Sequence, residues 1–185
     1  MDGTGNTLRG ALAYRLTFRC YQGLPLLSSD RTKHWFLNAL RRARDRHDFL
    51  LRAYVLMPEH AHVLLVPRDP KALDEICRSI KIPVARRARA FLTANHPDRL
   101  ERLKVTRPSG RVEFRLWENQ CVEDRAVVMP AAATSVIEHM HQNPVRRGIV
   151  HTATEWTWSS ARWSAGIGEV PLRMDGGSPH ASGHH

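Results

Sequence analysis

The apolar residues near the N-terminus change from a two-residue period to a helical one. Residues 11–21 alternate between apolar and polar side chains, which predicts a strand with one apolar face. Residues 1–10, rich in Gly and Thr, are expected to form a flexible leader. After a Gly-Leu-Pro turn, apolar residues recur at helical spacing behind three candidate N-caps, namely Ser28, Ser29 and Asp30.

Two short apolar runs follow this helix. Residues 50–57 and 60–66 are separated only by a Pro-Glu turn, so we expect them to pair as an antiparallel hairpin. A second helical pattern follows, which Pro83 should kink or split. Residues 93–110 hold two prolines and mixed charges and predict a loop, and residues 111–117 predict a strand. This order predicts an α+β fold, a ferredoxin-like split βαβ with one antiparallel sheet and helices on one face.

Residues 131–143 form the last strong helical pattern. The helix must end at Asn143, because a residue before proline is pushed out of the α region. Pro144 can then open a short turn that Gly148 closes. His139 and Asn143 are four residues apart, hence on one face of this helix, which could lie over the two histidines that open the second hairpin strand.

Composition favours one domain and an anionic partner. The chain has 185 residues, 42% of them hydrophobic, and we divide it into the leader, a domain at residues 11–164 and a loose Gly-rich tail at residues 165–185. The net charge of +10 favours nucleic acid, and no apolar run approaches the roughly 18 residues of a membrane span. A merely soluble basic surface is the alternative. Three scattered cysteines indicate no disulfide framework and suit a cytoplasmic location.

Two histidines open the second hairpin strand. Because side chains alternate along a strand, His60 and His62 share one face, and their imidazoles could meet one divalent cation. The alternative is a pair of satisfied or solvent-facing histidines. The arginines of the second helix leave a similar choice between a solvated face and contact with phosphates.

Four separated segments carry a more specific pattern. They are residues 54–63 (YVLMPEHAHV), 115–118 (RLWE), 143–150 (NPVRRGIV) and 156–162 (WTWSSAR). In this order and spacing they resemble the single-tyrosine HUH transposases of insertion-sequence type, and within them the REP-associated tyrosine transposases. The resemblance spans residues 12–163. It implies a ferredoxin-like domain with a C-terminal helix that carries the nucleophile. It also implies a protein, usually a homodimer, that binds hairpin or single-stranded DNA and cuts and rejoins strands with Mg²⁺ or Mn²⁺.

The resemblance also implies roles for individual residues. His60 and His62 would bind the metal, and Asn143 would be the third ligand. The family's nucleophile is a tyrosine in a Tyr-x-x-x-Asn-Pro pattern, and the matching residue here is His139. Only three tyrosines occur in the chain, Tyr14, Tyr21 and Tyr54. The basic residues that we assign to DNA binding are Arg78, Lys81, Arg86, Arg87, Arg146 and Arg147.

Three functions remain open. The first is a transposase-derived DNA-binding protein that keeps hairpin recognition but has lost strand cleavage. The second is an active nuclease or transposase in which His139, or a metal-bound water, attacks the DNA. The third is an unrelated metal hydrolase with a zinc site; its ligands would be His60, His62, His139 and His141. Metal content separates the third function from the others, and DNA cleavage separates the first two.

Overall fold

The computed structural model describes residues 11–119, 121–129 and 132–176. The expected leader at residues 1–10 and the last nine residues of the expected tail lie outside this range. Within it, no helix combines the length and the apolar character that crossing a membrane requires.

Four antiparallel strands form the central sheet. They lie in the order β2-β3-β1-β6, with β1 at Leu12–Arg19, β2 at Leu50–Leu56, β3 at His60–Val66 and β6 at Val122–Val128. This is the strand order of a split βαβ domain, in which the first and last strands lie side by side. The predicted fold class is therefore confirmed.

Two long helices cover one face of the sheet. Helix α1 spans Asp30–His47, and the hydroxyl of its N-cap Ser29 accepts a hydrogen bond from the Thr32 amide. Helix α2 spans Leu73–Asn95 and packs against α1. Their apolar faces meet the inward side chains of β1 and β3 in the larger core, which includes Leu16, Phe18, Val63, Phe36, Leu40 and Ile80.

Helix α2 continues through Pro83 and is not split there. A proline inside a helix removes one backbone hydrogen bond and costs about 3 kcal/mol. Ile80 and Val84, on either side of Pro83, are both buried in the core. Their burial opposes a break, because tertiary packing supplies most of the stability of a helix in a folded protein.

The strand predicted at residues 111–117 forms only in part, and its predicted place as the fourth strand of the central sheet is wrong. Residues Val112–Phe114 form a short strand, β5, which pairs with β4 at Lys104–Thr106 in a separate hairpin. The predicted loop at 93–110 also holds the end of α2, helix α3 at Pro97–Glu101 and strand β4. The true fourth strand, β6, escaped prediction because the charged run Glu-Asp-Arg interrupts its alternation, whereas pairing with β1 defines it in the structure.

Helix α4 covers the opposite face of the sheet. It spans Ala133–His141, and its Val136 and Met140 pack on Val55 and Leu64 in a second, smaller core. The short helix α5, Asn143–Arg146, begins at the predicted break and is followed by Gly148 with a φ of 66°. The turn predicted after the helix is thus confirmed.

The C-terminal segments cover the exposed edge of β2. Leu56 donates its amide to the Trp158 carbonyl, and the Ser160 amide donates to the Tyr54 carbonyl, so this segment lies along β2 like an extra strand. Helix α6, Ala161–Ser164, follows. Residues 165–176, which the sequence analysis placed in the loose tail, bring two buried side chains, Leu172 and Met174, to the larger core.

Candidate metal and DNA site

The two histidines lie at the end of the sheet where β1 finishes and β3 starts. In the antiparallel register, His62 is opposite Thr17 and His60 is opposite Arg19. Their rings lie on the same face, as predicted, with centroids 4.7 Å apart. A cleft of about 490 Å³ opens beside them and is also lined by Gln22, Gly23, Glu118 and Arg147.

The ring of His60 contacts a residue on each side. Its Nε2 lies 3.0 Å from Nδ2 of Asn143, and its Nδ1 lies 3.2 Å from Oε1 of Glu59. The proton therefore belongs on Nδ1, facing the carboxylate, and Nε2 keeps the lone pair that accepts from the amide. Burial lowers the pKa of His60, although the carboxylate of Glu59 opposes this shift. The imidazole is thus neutral at neutral pH, the form that binds metals.

The ring of His62 is anchored by Thr17. The hydroxyl of Thr17 lies 2.8 Å from Nδ1 of His62. In the tautomer whose Nδ1–H donates to this hydroxyl, Nε2 keeps its lone pair. Burial, followed by the positive field of neighbouring basic groups, lowers the pKa of His62 to about 3. This imidazole also stays neutral at neutral pH.

An ion pair connects the two segments that carry these residues. Oε1 of Glu59 lies 2.7 Å from Nη2 of Arg147, which follows helix α5. Neither this contact nor the one to His60 has the alignment of a hydrogen bond, so Oε1 remains a buried acceptor without a hydrogen-bond partner. A carboxylate in this position can accept a hydrogen bond from Nδ1 of a histidine whose Nε2 binds a metal.

The side chains present fit a small divalent cation. Nε2 of His60 and Nε2 of His62 are lone-pair donors, and a half-turn of the Asn143 amide would replace Nδ2 by its oxygen. Imidazole nitrogens and an amide oxygen are both donors that divalent cations accept. Across the described ranges, no three His, Cys, Asp or Glu side chains are grouped as metal ligands, so the candidate set needs the Asn143 amide.

His139 lies on α4, four residues before Asn143, which is the first residue of α5. Its side chain is largely exposed, and its Nε2 lies 3.3 Å from Nη2 of Arg146, whose guanidinium also donates to the His139 carbonyl. Partial burial, together with the charges of Arg146 and Arg15, lowers the pKa of this imidazole. His139 is therefore a neutral side chain beside a guanidinium.

His141 points into the protein interior. It is buried, with Nε2 at 2.8 Å from the hydroxyl of Ser160, and burial lowers its pKa to about 4. Residues two apart on a helix point in nearly opposite directions, so His141 faces away from His139. This placement weighs against the four-histidine zinc site.

Two of the three tyrosines lie inside the fold. Tyr54 is fully buried, its hydroxyl accepts from the Leu172 amide, and burial raises its pKa. Tyr14 is 8% exposed on β1, and Tyr21 is half-buried just after that strand. No tyrosine lies on α4, which carries His139, or on α5, which begins with Asn143.

The residues that we assigned to DNA binding differ in their contacts. Lys81 donates to the Glu118 carbonyl at 2.6 Å and is half-buried, so it fastens a loop to α2. Arg146 and Arg147 lie beside the histidine site, paired as described above. Arg78, Arg86 and Arg87 are exposed on α2.

Two residues of the site have roles that the sequence did not reveal. Thr17 is one of the polar residues that alternate with apolar ones along β1, and Glu59 looked like part of a turn. Thr17 follows the alternation of β1, so the sequence held no separate signal for its contact with His62. No sequence pattern near Glu59 indicates its ion pair with Arg147.

Comparisons with known proteins find similarity of structure. No protein-family model and no curated protein sequence matches the chain. A solved REP-associated tyrosine transposase bound to a REP hairpin is similar with a TM-score of 0.61 and 18% identity, over 90% of this chain and 87% of that one. A candidate transposase from Deinococcus radiodurans aligns with a TM-score of 0.45 and 19% identity, over 76% of this chain and 97% of that one. The chain therefore has the fold of a REP-associated tyrosine transposase, as the resemblance in its sequence implies.

Proposed function

We propose that this protein recognises hairpin DNA with a single-stranded flank at the cleft beside His60 and His62. The observation that carries the proposal is the proximity of three groups: the two neutral imidazoles have ring centroids 4.7 Å apart, and Asn143 lies 3.0 Å from Nε2 of His60. The similar solved transposase is bound to a REP hairpin, which supports the same class of ligand here. The net charge of +10 suits a polyanion.

Three groups would hold a Mg²⁺ or Mn²⁺ ion: Nε2 of His60, Nε2 of His62 and the amide oxygen of Asn143. A cation there would polarise the phosphate and offset its negative charge. Thr17 contacts Nδ1 of His62 and the carboxylate of Glu59 faces Nδ1 of His60, so each ring keeps the lone pair of its Nε2. The ion would replace the Asn143 N–H that now faces Nε2 of His60. Arg146 and Arg147 supply positive charge at the same end of the sheet.

Strand cleavage through a phosphotyrosine is not part of the proposal. The nucleophile position holds His139, whose ring contacts Arg146. Tyr54 and Tyr14 are buried and cannot reach a phosphate. We therefore favour a transposase-derived protein that keeps DNA recognition without the family's covalent chemistry.

One observation favours a second candidate function. His139 is exposed and its pKa is lowered, so its neutral imidazole is available one turn from Asn143. In this alternative its nitrogen attacks the phosphorus, the bond from phosphorus to the leaving oxygen breaks, and that oxygen takes up a proton. A homodimer remains an expectation from the resemblance.

A binding experiment tests the main proposal. Fluorescence anisotropy of a labelled hairpin with a single-stranded flank should show an affinity that falls steeply with salt, with a log-log slope of several units. A blunt duplex of the same length serves as the control and should bind more weakly. A salt-independent affinity, or equal affinity for both DNAs, would contradict the proposal.

A further inference from the structure

A second groove borders two of the segments that line the histidine cleft. It has a volume of about 580 Å³ and is bounded by the start of α1, the end of α2 and helix α3. Its apolar surface comes from Leu24, Leu26, Trp35, Phe91, Leu92 and Leu103. A groove of this size can hold a small organic ligand.

The charged side chains that line this groove are all basic. Arg31, Arg99 and Arg102 line it, and none of its lining residues within the described ranges is Asp or Glu. The guanidinium of Arg31 lies 4.3 Å from the ring centroid of Phe91, in a stacked arrangement. An apolar floor with three guanidinium groups complements a flat apolar ring that carries a phosphate.

Aromatic rings stand next to these arginines. The rings of Trp35 and Phe91 are 6.0 Å apart and nearly edge to face. The indole N–H of Trp35 has no hydrogen-bond partner in the part of the chain that the structure describes, unlike those of Trp117 and Trp156. Unpaired bases stack on such rings and on guanidinium planes, and their edges accept from free N–H groups.

The groove and the histidine cleft share two segments of the chain. Leu116 lines the groove and Glu118 lines the cleft; likewise Leu24 lines the groove and Gly23 the cleft. Residues this close in sequence lie within about 7 Å of each other. The groove and the cleft therefore border the same two segments of the chain, and a single strand that leaves the cleft along these segments meets the groove.

We propose that this groove binds an unpaired nucleotide of the single-stranded DNA that flanks the hairpin. The base lies against Trp35 and the Arg31 plane, and Arg99 and Arg102 contact the phosphates. Duplex DNA does not present a free base face, so the groove selects single-stranded DNA. This inference rests on the proposed function, since it extends the path of the DNA that enters the cleft.

A matched pair of double variants tests the groove. Arg99→Gln with Arg102→Gln removes two charges from it, and Arg41→Gln with Arg89→Gln removes two exposed charges outside it. Anisotropy measures both variants on a hairpin with a single-stranded flank and on the same hairpin without it. We expect the groove variant to bind the flanked hairpin about tenfold more weakly and the blunt hairpin with less than a twofold change. The control variant should change both affinities equally.

An equal loss on both hairpins for the groove variant would overturn the proposal. Photo-crosslinking gives an independent readout, with 5-iodouracil placed in the flank and the attached peptide identified by mass spectrometry. The proposal expects attachment at Trp35 or Phe91, and attachment confined to other residues would overturn it.

Two further outcomes separate this proposal from other possibilities. If the wild type binds no hairpin but a short oligo-dT still crosslinks to Trp35, the proposed function fails and the groove assignment stands. If sedimentation velocity shows self-association that the groove variant abolishes, the groove is an interface with a second copy and the proposal is overturned.

Discussion

The carboxylate of Glu59 and the guanidinium of Arg147 form an ion pair, with 2.7 Å between Oε1 and Nη2. Glu59 immediately precedes His60, and Arg147 immediately follows α5, which begins with Asn143. The pair therefore holds together two segments whose candidate ligands are 83 residues apart in sequence. The same oxygen faces Nδ1 of His60.

Substitution of Glu59 should weaken metal binding without unfolding the protein. Glu59→Gln removes the negative charge that faces Nδ1 of His60 and the partner of Arg147, so Mn²⁺ affinity should fall by about tenfold or more. Isothermal titration calorimetry measures this change. Glu169→Gln, at an exposed carboxylate with a different partner, is the control. Equal Mn²⁺ affinity in both variants would show that Glu59 does not support the site.

Removal of both imidazoles should abolish metal binding. His60→Ala with His62→Ala deletes two of three candidate ligands, so no Mn²⁺ uptake is expected in calorimetry. The circular dichroism spectrum should be unchanged, because the rings line a cleft and do not form part of either core. His151→Ala, at an exposed histidine, should bind Mn²⁺ like the wild type. Undiminished uptake by the double variant would remove the site assignment.

The wild type should form no covalent phosphotyrosine adduct with hairpin DNA. The position of the nucleophile holds His139, and two of the three tyrosines are buried. A denaturing gel of labelled oligonucleotide, protein and Mn²⁺ detects an adduct as a shifted band. His139→Tyr restores the phenol one turn before Asn143 and is the variant in which a weak adduct is expected.

Two results on this gel would contradict the prediction. An alkali-stable wild-type adduct that disappears in Tyr21→Phe would show that the nucleophile lies elsewhere in the chain. An acid-labile adduct that disappears in His139→Ala would instead support attack by the imidazole and the second candidate function.

Buried His141 should make the metal-free protein less stable in mild acid. Burial lowers its pKa from 6.5 to about 4, so the unfolded state binds the proton more readily than the folded state. Its contribution is fully present above about pH 6.5 and is lost as the pH falls toward 4. Between pH 7 and pH 5 this linkage amounts to roughly 2 kcal/mol in the free energy of unfolding.

The control for this pH dependence is His141→Gln. Glutamine can keep a hydrogen bond to Ser160 but does not titrate in this range. Urea unfolding in the presence of a chelator, at pH 7 and pH 5, should show a smaller loss of stability for the variant than for the wild type. Identical losses in the two proteins would show that His141 is not the titrating group.

The sequence by itself determined the elements that have strong local patterns. Strands β1, β2 and β3 and the break before Pro144 were predicted, because each depends on residues close together in sequence. The cap of α1 was narrowed to three candidates, of which the structure selects Ser29. The shared face of His60 and His62 was predicted for the same reason, since alternation along a strand is a local property.

Only the tertiary structure decided which strand completes the sheet and which groups surround the histidines. The sequence of strand β6 contains the charged run Glu-Asp-Arg, so no local pattern identified the strand. Its conformation is defined by pairing with β1. Thr17 meets His62 through the register of β1 with β3, and Asn143 meets His60 because α4 packs on the second face of the sheet. Register and packing arise from contacts between residues far apart in sequence. The local sequence patterns used for the predictions do not report such contacts.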